Sequence, residues 1–265
     1  MPRRPRASHR SLAIAGLLAG VLAPSAPAVR ADGREPDLRT IDRTIYEASG
    51  AVAPRHPVTG RPVLNVVPET LEVRLARDFF REYAQRATAR GVAVDPPSVR
   101  LERVRRSFRR LVGVAHRRHL PWEVHLVDEP VPNAFTAGGG LVVVLSGLWD
   151  DMLREHESEG LATVLAHEIA HVTLLHPPTR TTWLGVGEAM SREGVDPYYR
   201  AAYSHEQEAE ADRLSVLYLA LAGIDPNAAP RLWRRVEARR GDSAAAAGYL
   251  HDHPVSAERV AITAD

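Results

Sequence analysis

The chain has 265 residues, 34 Lys and Arg against 33 Asp and Glu, 12 His and no Cys. A net charge of +1 gives no global attraction to nucleic acid, and the lack of cysteine excludes disulfides, thiolate metal sites, cysteine-protease chemistry and a lipid-modified N-terminal cysteine. With an N-terminal targeting segment set aside, roughly 235 residues remain, enough for one sizeable domain with its own core.

Residues 1–31 run from Arg3, Arg4 and Arg6 through an apolar stretch, Leu12 to Ala23, to small-residue sites at Ala26-Pro27-Ala28 and Val29-Arg30-Ala31. That order is a secretory signal peptide, cleaved after Ala28 or Ala31, with an uncleaved anchor as the alternative. It predicts a periplasmic or otherwise exported protein. No other stretch reaches ~18 apolar residues, so the mature chain is expected to have no transmembrane span. Residues 32–67 are rich in Pro, Arg and Gly and read as irregular. Residues 68–265 form the expected domain.

Within it, Glu69 to Arg90 has helical spacing, with Leu71, Leu75, Phe79 and Tyr83 in one stripe and Gly91 as the stop. Val99 to Val112 is a second helix, with Leu101, Val104, Phe108 and Leu111 inward. Arg103, Arg106 and Arg110 on its other side read as a solvated face rather than a contact for anionic lipid or nucleic acid. Trp122 to Val127 alternates as a strand, and Leu141 to Leu145 is an apolar one. Gly138 to Gly140 precedes a strand and lacks the Lys of a phosphate loop, so it reads as a hairpin turn where backbones approach closely.

Leu161, Val164, Leu165, Ile169, Val172 and Leu175 make a third helical pattern, stopped by Pro177 and Pro178. Pro177 to Tyr203 is a wall or lid of a cleft, or a plain connection. Ser204 opens a helix running through Leu214, Leu217, Tyr218 and Leu221, and Pro226 to Arg240 is a further one. Residues 241–248 read as a linker. The sequence contains no internal repeat.

The third helix carries His167-Glu168-Ile169-Ala170-His171. Residues i and i+4 share a helix face, so both imidazoles can converge on one ion, leaving Glu168 to take a proton from water at the metal. A chain of this composition carries the pattern by chance about 0.04 times, so the buried helical context matters as much as the pentapeptide. His176, five residues on, is off that face and reads as a partly buried structural histidine, or a group behind the ligands.

A catalytic zinc usually has three protein ligands and an open position. Ser204-His205-Glu206-Gln207-Glu208-Ala209-Glu210-Ala211-Asp212 supplies candidates. Glu208 and Asp212 share a face, one able to bind metal and the other to accept a hydrogen bond from a ligand imidazole. Spacing alone does not choose among Glu206, Glu208 and Glu210.

The HEIAH and EAEAD segments together resemble the HtpX/BepA-like zinc metallopeptidases, the family that includes the CAAX prenyl proteases. Pro132-Asn133-Ala134-Phe135 with the following Gly138-Gly139-Gly140 strand, and His253-Pro254 with Arg259, look like two further family segments. His205 departs from the family pattern, which usually has Arg there. The resemblance implies a mainly helical α+β, zincin-like domain with a small antiparallel sheet edging the active-site cleft. It implies one Zn2+ per chain on His167, His171 and Glu208, with Asp212 behind a ligand ring. Asn133, Ala134, Phe135, Gly138, Gly139 and Gly140 would face substrate, along a strand edge at Leu141 to Leu145. It suggests His253 near the metal, polarising a carbonyl or filling the open position at rest.

The expected function is zinc-dependent endopeptidase activity on unfolded or misassembled exported proteins. The alternative is a chaperone-like binding factor for unfolded outer-membrane proteins, and a zinc hydrolase acting on a non-peptide bond is a third possibility. The sequence does not give an oligomeric state.

Overall fold

The computed structural model describes residues 68–149, 153, 157–178, 203–238, 253 and 257–263, with scattered positions between 55 and 67. Residues 1–31, expected to be a signal segment, most of the segment between Pro177 and Tyr203, and residues 241–248, expected to be a linker, lie outside the described residues. The chain divides into two units, Met1–Val67 with Pro178–Tyr199, and Pro68–Pro177 with Arg200–Asp265. In the first, a short turn closes where Gly60 N donates to His56 O at 2.8 Å. Every element below belongs to the second.

That unit contains α1 (Glu69–Ala89), α2 (Val99–Val112), β1 (Glu123–Val127), β2 (Ala134–Gly138), β3 (Leu141–Leu145), α3 (Glu157–Thr173), α4 (His205–Leu221), α5 (Ala228–Ala238) and α6 (Ala257–Ile262). It is α+β and mainly helical, as expected. The sheet is mixed rather than antiparallel. β1 runs parallel to β3 and β2 antiparallel to it, in the order β1-β3-β2.

That order corrects one expectation. Leu141–Leu145 is the central strand, not the edge. All five of its residues are buried, as befits a continuous apolar run with neighbours on both sides. The outer strand beside α3 is β2, which begins just after Asn133.

Local chemistry sets the helix ends. Ser98 Oγ accepts from Leu101 N at 3.1 Å to start α2. Gly91, at φ 79°, follows the end of α1 as a left-handed terminator. α2 buries Leu101, Val104, Phe108 and Leu111, the four residues its periodicity predicted. Two stripes are rotated from prediction. α1 buries Glu72, Ala76 and Ala87, leaving Leu71, Leu75, Phe79 and Tyr83 half-buried. α4 buries Leu214, Ser215, Tyr218 and Leu219 and exposes Leu217 and Leu221.

The α1 rotation has a polar cause. Glu72 is buried because Arg117 reaches both its oxygens, at 3.2 and 2.8 Å, and Gly139 N donates to it at 2.8 Å. Arg117 also donates to Val172 O at 2.9 Å, at the end of α3. One buried ion pair thus ties α1, the β2–β3 turn and α3 together.

α3 lies in the middle of the unit, against α2, α4, α5 and β2. Leu161, Val164, Leu165, Ile169 and Val172 are at most 1% exposed. Each such side chain stabilises by about 1.5–3 kcal/mol. This apolar surround carries two imidazoles and a carboxylate into the interior, where polar groups must find partners.

Candidate metal centre

His167 and His171 face inward from successive turns of α3, and His171 Nε2 lies 2.9 Å from His167 Nε2. α4 brings the acid. Its start is fixed by a capping box, in which Ser204 Oγ accepts from Gln207 N and Gln207 Oε1 accepts from Ser204 N. Packed against α3, the helix buries Glu208 and Asp212 and leaves Glu206 and Glu210 exposed. Glu208 Oε2 lies 3.3 Å from His167 Nε2, and Oε1 lies 3.3 Å from His171 Nε2. Of the three acids the spacing left open, Glu208 is the one at the imidazoles.

The donor set fits zinc. Ligand atoms around a tetrahedral zinc lie about 3.4 Å apart, and two imidazoles with one carboxylate are a catalytic zinc set. His167, His171, Glu208 and His253 each offer an atom within 4.8 Å of the others, and all four are buried. His253 Nδ1 is 3.1 Å from Glu208 Oε1 and 3.3 Å from His167 Nε2, while its Nε2 is 3.4 Å from Glu168 Oε1. Glu168 itself is fully buried beside the ligands.

Behind the ligands, Asp212 Oδ1 sits 3.0 Å from His167 Nδ1. Arg259 of α6 holds both Asp212 oxygens and reaches Glu208 Oε2 at 2.9 Å. The late HP…R segment pointed to Arg259 without giving it a task. α6 itself, six residues long, was not predicted. Tyr203 stacks on His171 with ring centroids 3.9 Å apart. His176 is 3% exposed, and its Nδ1 lies 2.9 Å from His171 Nδ1. On a continuous helix it would point elsewhere. Leu175, at φ 61°, breaks α3 and turns the chain back under His171. Pro177-Pro178 signalled that break, and with it the failure of helical spacing at His176.

The charge states suit ligation. Burial raises the Glu208 carboxyl, but the charges of His253 and His167 and hydrogen bonds from His167 and His171 outweigh it and hold it well below the ordinary range. Burial likewise raises Asp212, and Arg259 then His167 hold it low. His171 is pushed well below its ordinary value by burial and by His167 beside it. Burial lowers His167 too, but the Glu208 charge and contacts with Asp212 and Glu208 outweigh it and raise it. Ionised Glu208 and neutral His171 are ligand forms, and binding a cation requires His167 Nε2 to be without a proton.

The other expected residues have mixed placements. Asn133 precedes β2, and Ala134 and Phe135 lie on it, opposite Val144 and Val143 of β3. Gly138, Gly139 and Gly140 all have positive φ and form the turn. A Cβ on Gly139 would lie 2.7 Å from Val73 Cα, and one on Gly140 3.2 Å from Trp122 Cα. At these two positions the turn packs closely against α1 and the residue before β1.

Two helices that deliver two imidazoles and one carboxylate to a point, with a second carboxylate next to the first imidazole, define a zincin-type metal site. The sequence agrees with that class. Residues 98–191 and 189–263 match Peptidase family M48, more than half of the chain, and the chain belongs to this family. It is 29% identical over 219 residues to the mitochondrial metalloendopeptidase OMA1 of Schizosaccharomyces pombe, covering 77% of this chain and 63% of that protein. It is 32% identical over 159 residues to mitochondrial metalloendopeptidase OMA1 of Arabidopsis thaliana, covering 56% and 32%. It is also 28% identical over 176 residues to the beta-barrel assembly-enhancing protease of Escherichia coli, covering 57% and 36%. The chain thus spans less than two thirds of the length of each of these relatives.

Proposed function

We propose that this chain is a zinc-dependent endopeptidase acting on unfolded or misassembled exported polypeptides. The observation that carries the reading is the convergence of His167, His171 and Glu208 beside the buried Glu168 carboxylate. The relatives' names, a metalloendopeptidase and a beta-barrel assembly-enhancing protease, point the same way. The export reading rests on the basic, apolar and small-residue order of residues 1–31. It favours the branch of the beta-barrel assembly-enhancing protease over that of mitochondrial OMA1. Among the described residues no helix is long and apolar enough to cross a membrane.

A zinc ion on His167, His171 and Glu208 would polarise the scissile carbonyl and acidify the attacking water. Glu168 accepts the proton from that water as the new C–O bond forms. It then gives the proton to the leaving nitrogen as the C–N bond breaks, so the carboxylate is regenerated. Asp212 holds the His167 ring from its Nδ1 side, and Arg259 holds Asp212. We read His253, placed among Glu208, His167 and Glu168, as the resting occupant of the fourth position, which must withdraw to admit a peptide.

β2 is the outer strand nearest α3, and an extended peptide would add to its outer edge. Main-chain pairing of that kind tolerates many side chains and favours unfolded segments. Asn133, Ala134 and Phe135 sit at the start of this edge. The complete burial of the ligand set also suits a second reading, a binding factor for unfolded outer-membrane proteins with little proteolysis.

One experiment separates the two. Purified protein is loaded with zinc, its zinc content measured, and unfolded casein supplied with and without chelator. One zinc per chain with chelator-sensitive cleavage supports the endopeptidase. Casein bound and left intact by zinc-loaded protein supports the binding factor. No bound zinc rejects the metal centre.

A further inference from the structure

The two ligand imidazoles are backed in different ways. His167 has the buried Asp212 carboxylate directly at its Nδ1. His171 has a second imidazole, His176, whose Nδ1 is 2.9 Å away. The other ring nitrogen of His176, Nε2, lies 3.3 Å from Glu210 Oε2. His176 is buried, whereas the Glu210 side chain is 47% exposed. A line of contacts therefore runs from a metal-facing ring to a carboxylate at the surface of α4.

Only one arrangement of protons satisfies every link. For His171 Nε2 to offer a lone pair to a cation, its proton must sit on Nδ1. That Nδ1–H must donate to His176 Nδ1, so His176 carries its own proton on Nε2. The Nε2–H of His176 then points at the Glu210 carboxylate, which accepts it. A carboxylate behind an imidazole ligand fixes its tautomer and raises its basicity, and here the effect is passed through one extra ring.

We propose that His176 and Glu210 form a positioning relay that fixes His171 in its Nε2-ligating form and strengthens zinc retention. Neither residue touches the ion, and both act through His171. The inference rests on the zinc-site reading above and adds residues to it. It gives the three glutamates at the start of α4 distinct fates: Glu208 at the metal, Glu210 at the far end of the relay and Glu206 in solvent.

The test is zinc affinity of the full chain, measured by competition with a chromophoric chelator, with the unfolding midpoint of the zinc-free protein taken in parallel. His176→Leu removes the acceptor and should weaken zinc binding about 10–100-fold. His176→Asn restores an acceptor oxygen near the Nδ1 position and should recover most of that loss. Glu210→Ala lies on an exposed helix face, where it leaves folding intact, and should weaken binding about threefold or more. The relay is overturned if His176→Leu and Glu210→Ala bind zinc as tightly as wild type. It is equally overturned if His176→Asn loses as much as His176→Leu, because ring bulk alone would then explain the effect. If His176→Leu does not fold, Glu210→Ala and His176→Asn decide. Wild-type protein that binds no zinc overturns the metal centre itself, and the relay with it.

Discussion

Arg259 grips Asp212 with two arms of its guanidinium, Nε 2.6 Å from Oδ2 and Nη2 2.9 Å from Oδ1. Its third arm, Nη1, lies 2.9 Å from Glu208 Oε2, and its plane rests 4.5 Å from the Trp233 ring centre. A single cation from the last helix therefore serves the two carboxylates that α4 aims at the site. Both acids are fully buried, and two anions so close need a positive partner.

Removing that partner should be costly. Arg259→Leu leaves Asp212 buried without its guanidinium, a loss of about 3–5 kcal/mol. Urea unfolding should show a midpoint shift of that size. Arg259→Lys should recover only part, since an ammonium cannot hold both oxygens or stack on Trp233 in the same way. A lysine variant as stable as wild type would show that charge alone is needed.

The role proposed for Glu168 separates chemistry from metal binding. It lies beside the ligands without belonging to the group of four that can hold an ion. Glu168→Gln should keep one zinc per chain and lower casein cleavage by about 10²–10⁴-fold. His167→Ala should lose both zinc and cleavage. Undiminished cleavage by the glutamine variant would reject Glu168 as the base.

The parts of the site that follow a single helical repeat were legible in the sequence. His167 and His171 are one turn apart on an unbroken helix, as are Glu208 and Asp212, so spacing placed each pair on a shared face. The choice of Glu208 over Glu206 and Glu210 needed the family resemblance, because which face of α4 turns inward depends on packing against α3. His176 escaped because helical spacing stops applying at Leu175. Strand order escaped too. The apolar run at Leu141–Leu145 showed burial, but its neighbours at Glu123–Val127 and Ala134–Gly138 are set by tertiary pairing. The α1 stripe misled because a buried carboxylate, Glu72, is satisfied by Arg117 from 45 residues away, which no local pattern reports.

The glycine turn can be tested without any assay of activity. Gly139 has φ 60°, and a Cβ there would meet the α1 backbone at Val73 Cα, 2.7 Å away. Gly139→Ala should therefore destabilise by about 2 kcal/mol or more, from the left-handed backbone and the contact together. Gly139→Asn tolerates the backbone angle but keeps the clash, so it should recover only part of the loss. Denaturant midpoints of the two variants check this. A wild-type midpoint for Gly139→Asn would assign the whole cost to the backbone angle.

Acid should weaken the join between β1 and the loop after α1 in a predictable window. Asp95 Oδ2 lies 2.8 Å from His125 Nδ1, and Oδ1 accepts from Leu126 N at 2.9 Å. Burial raises the Asp95 carboxyl, but the His125 hydrogen bond, the Leu126 N–H and the charges of His125 and Arg105 outweigh it and hold it below its ordinary value. Because the folded pKa is depressed, the unfolded chain takes up a proton first as pH falls. The stabilisation from Asp95 is complete well above the ordinary carboxyl pKa of about 3.9 and is lost as pH falls through the lower folded value. Asp95→Asn keeps an acceptor for Leu126 N and tolerates the left-handed backbone at this position, φ 52°. The stability difference between wild type and Asp95→Asn should thus shrink steadily as pH falls below about 5. Urea midpoints of both proteins measured from pH 7 down to pH 3 check this. A difference that stays constant throughout would show that the Asp95 charge contributes nothing to the fold.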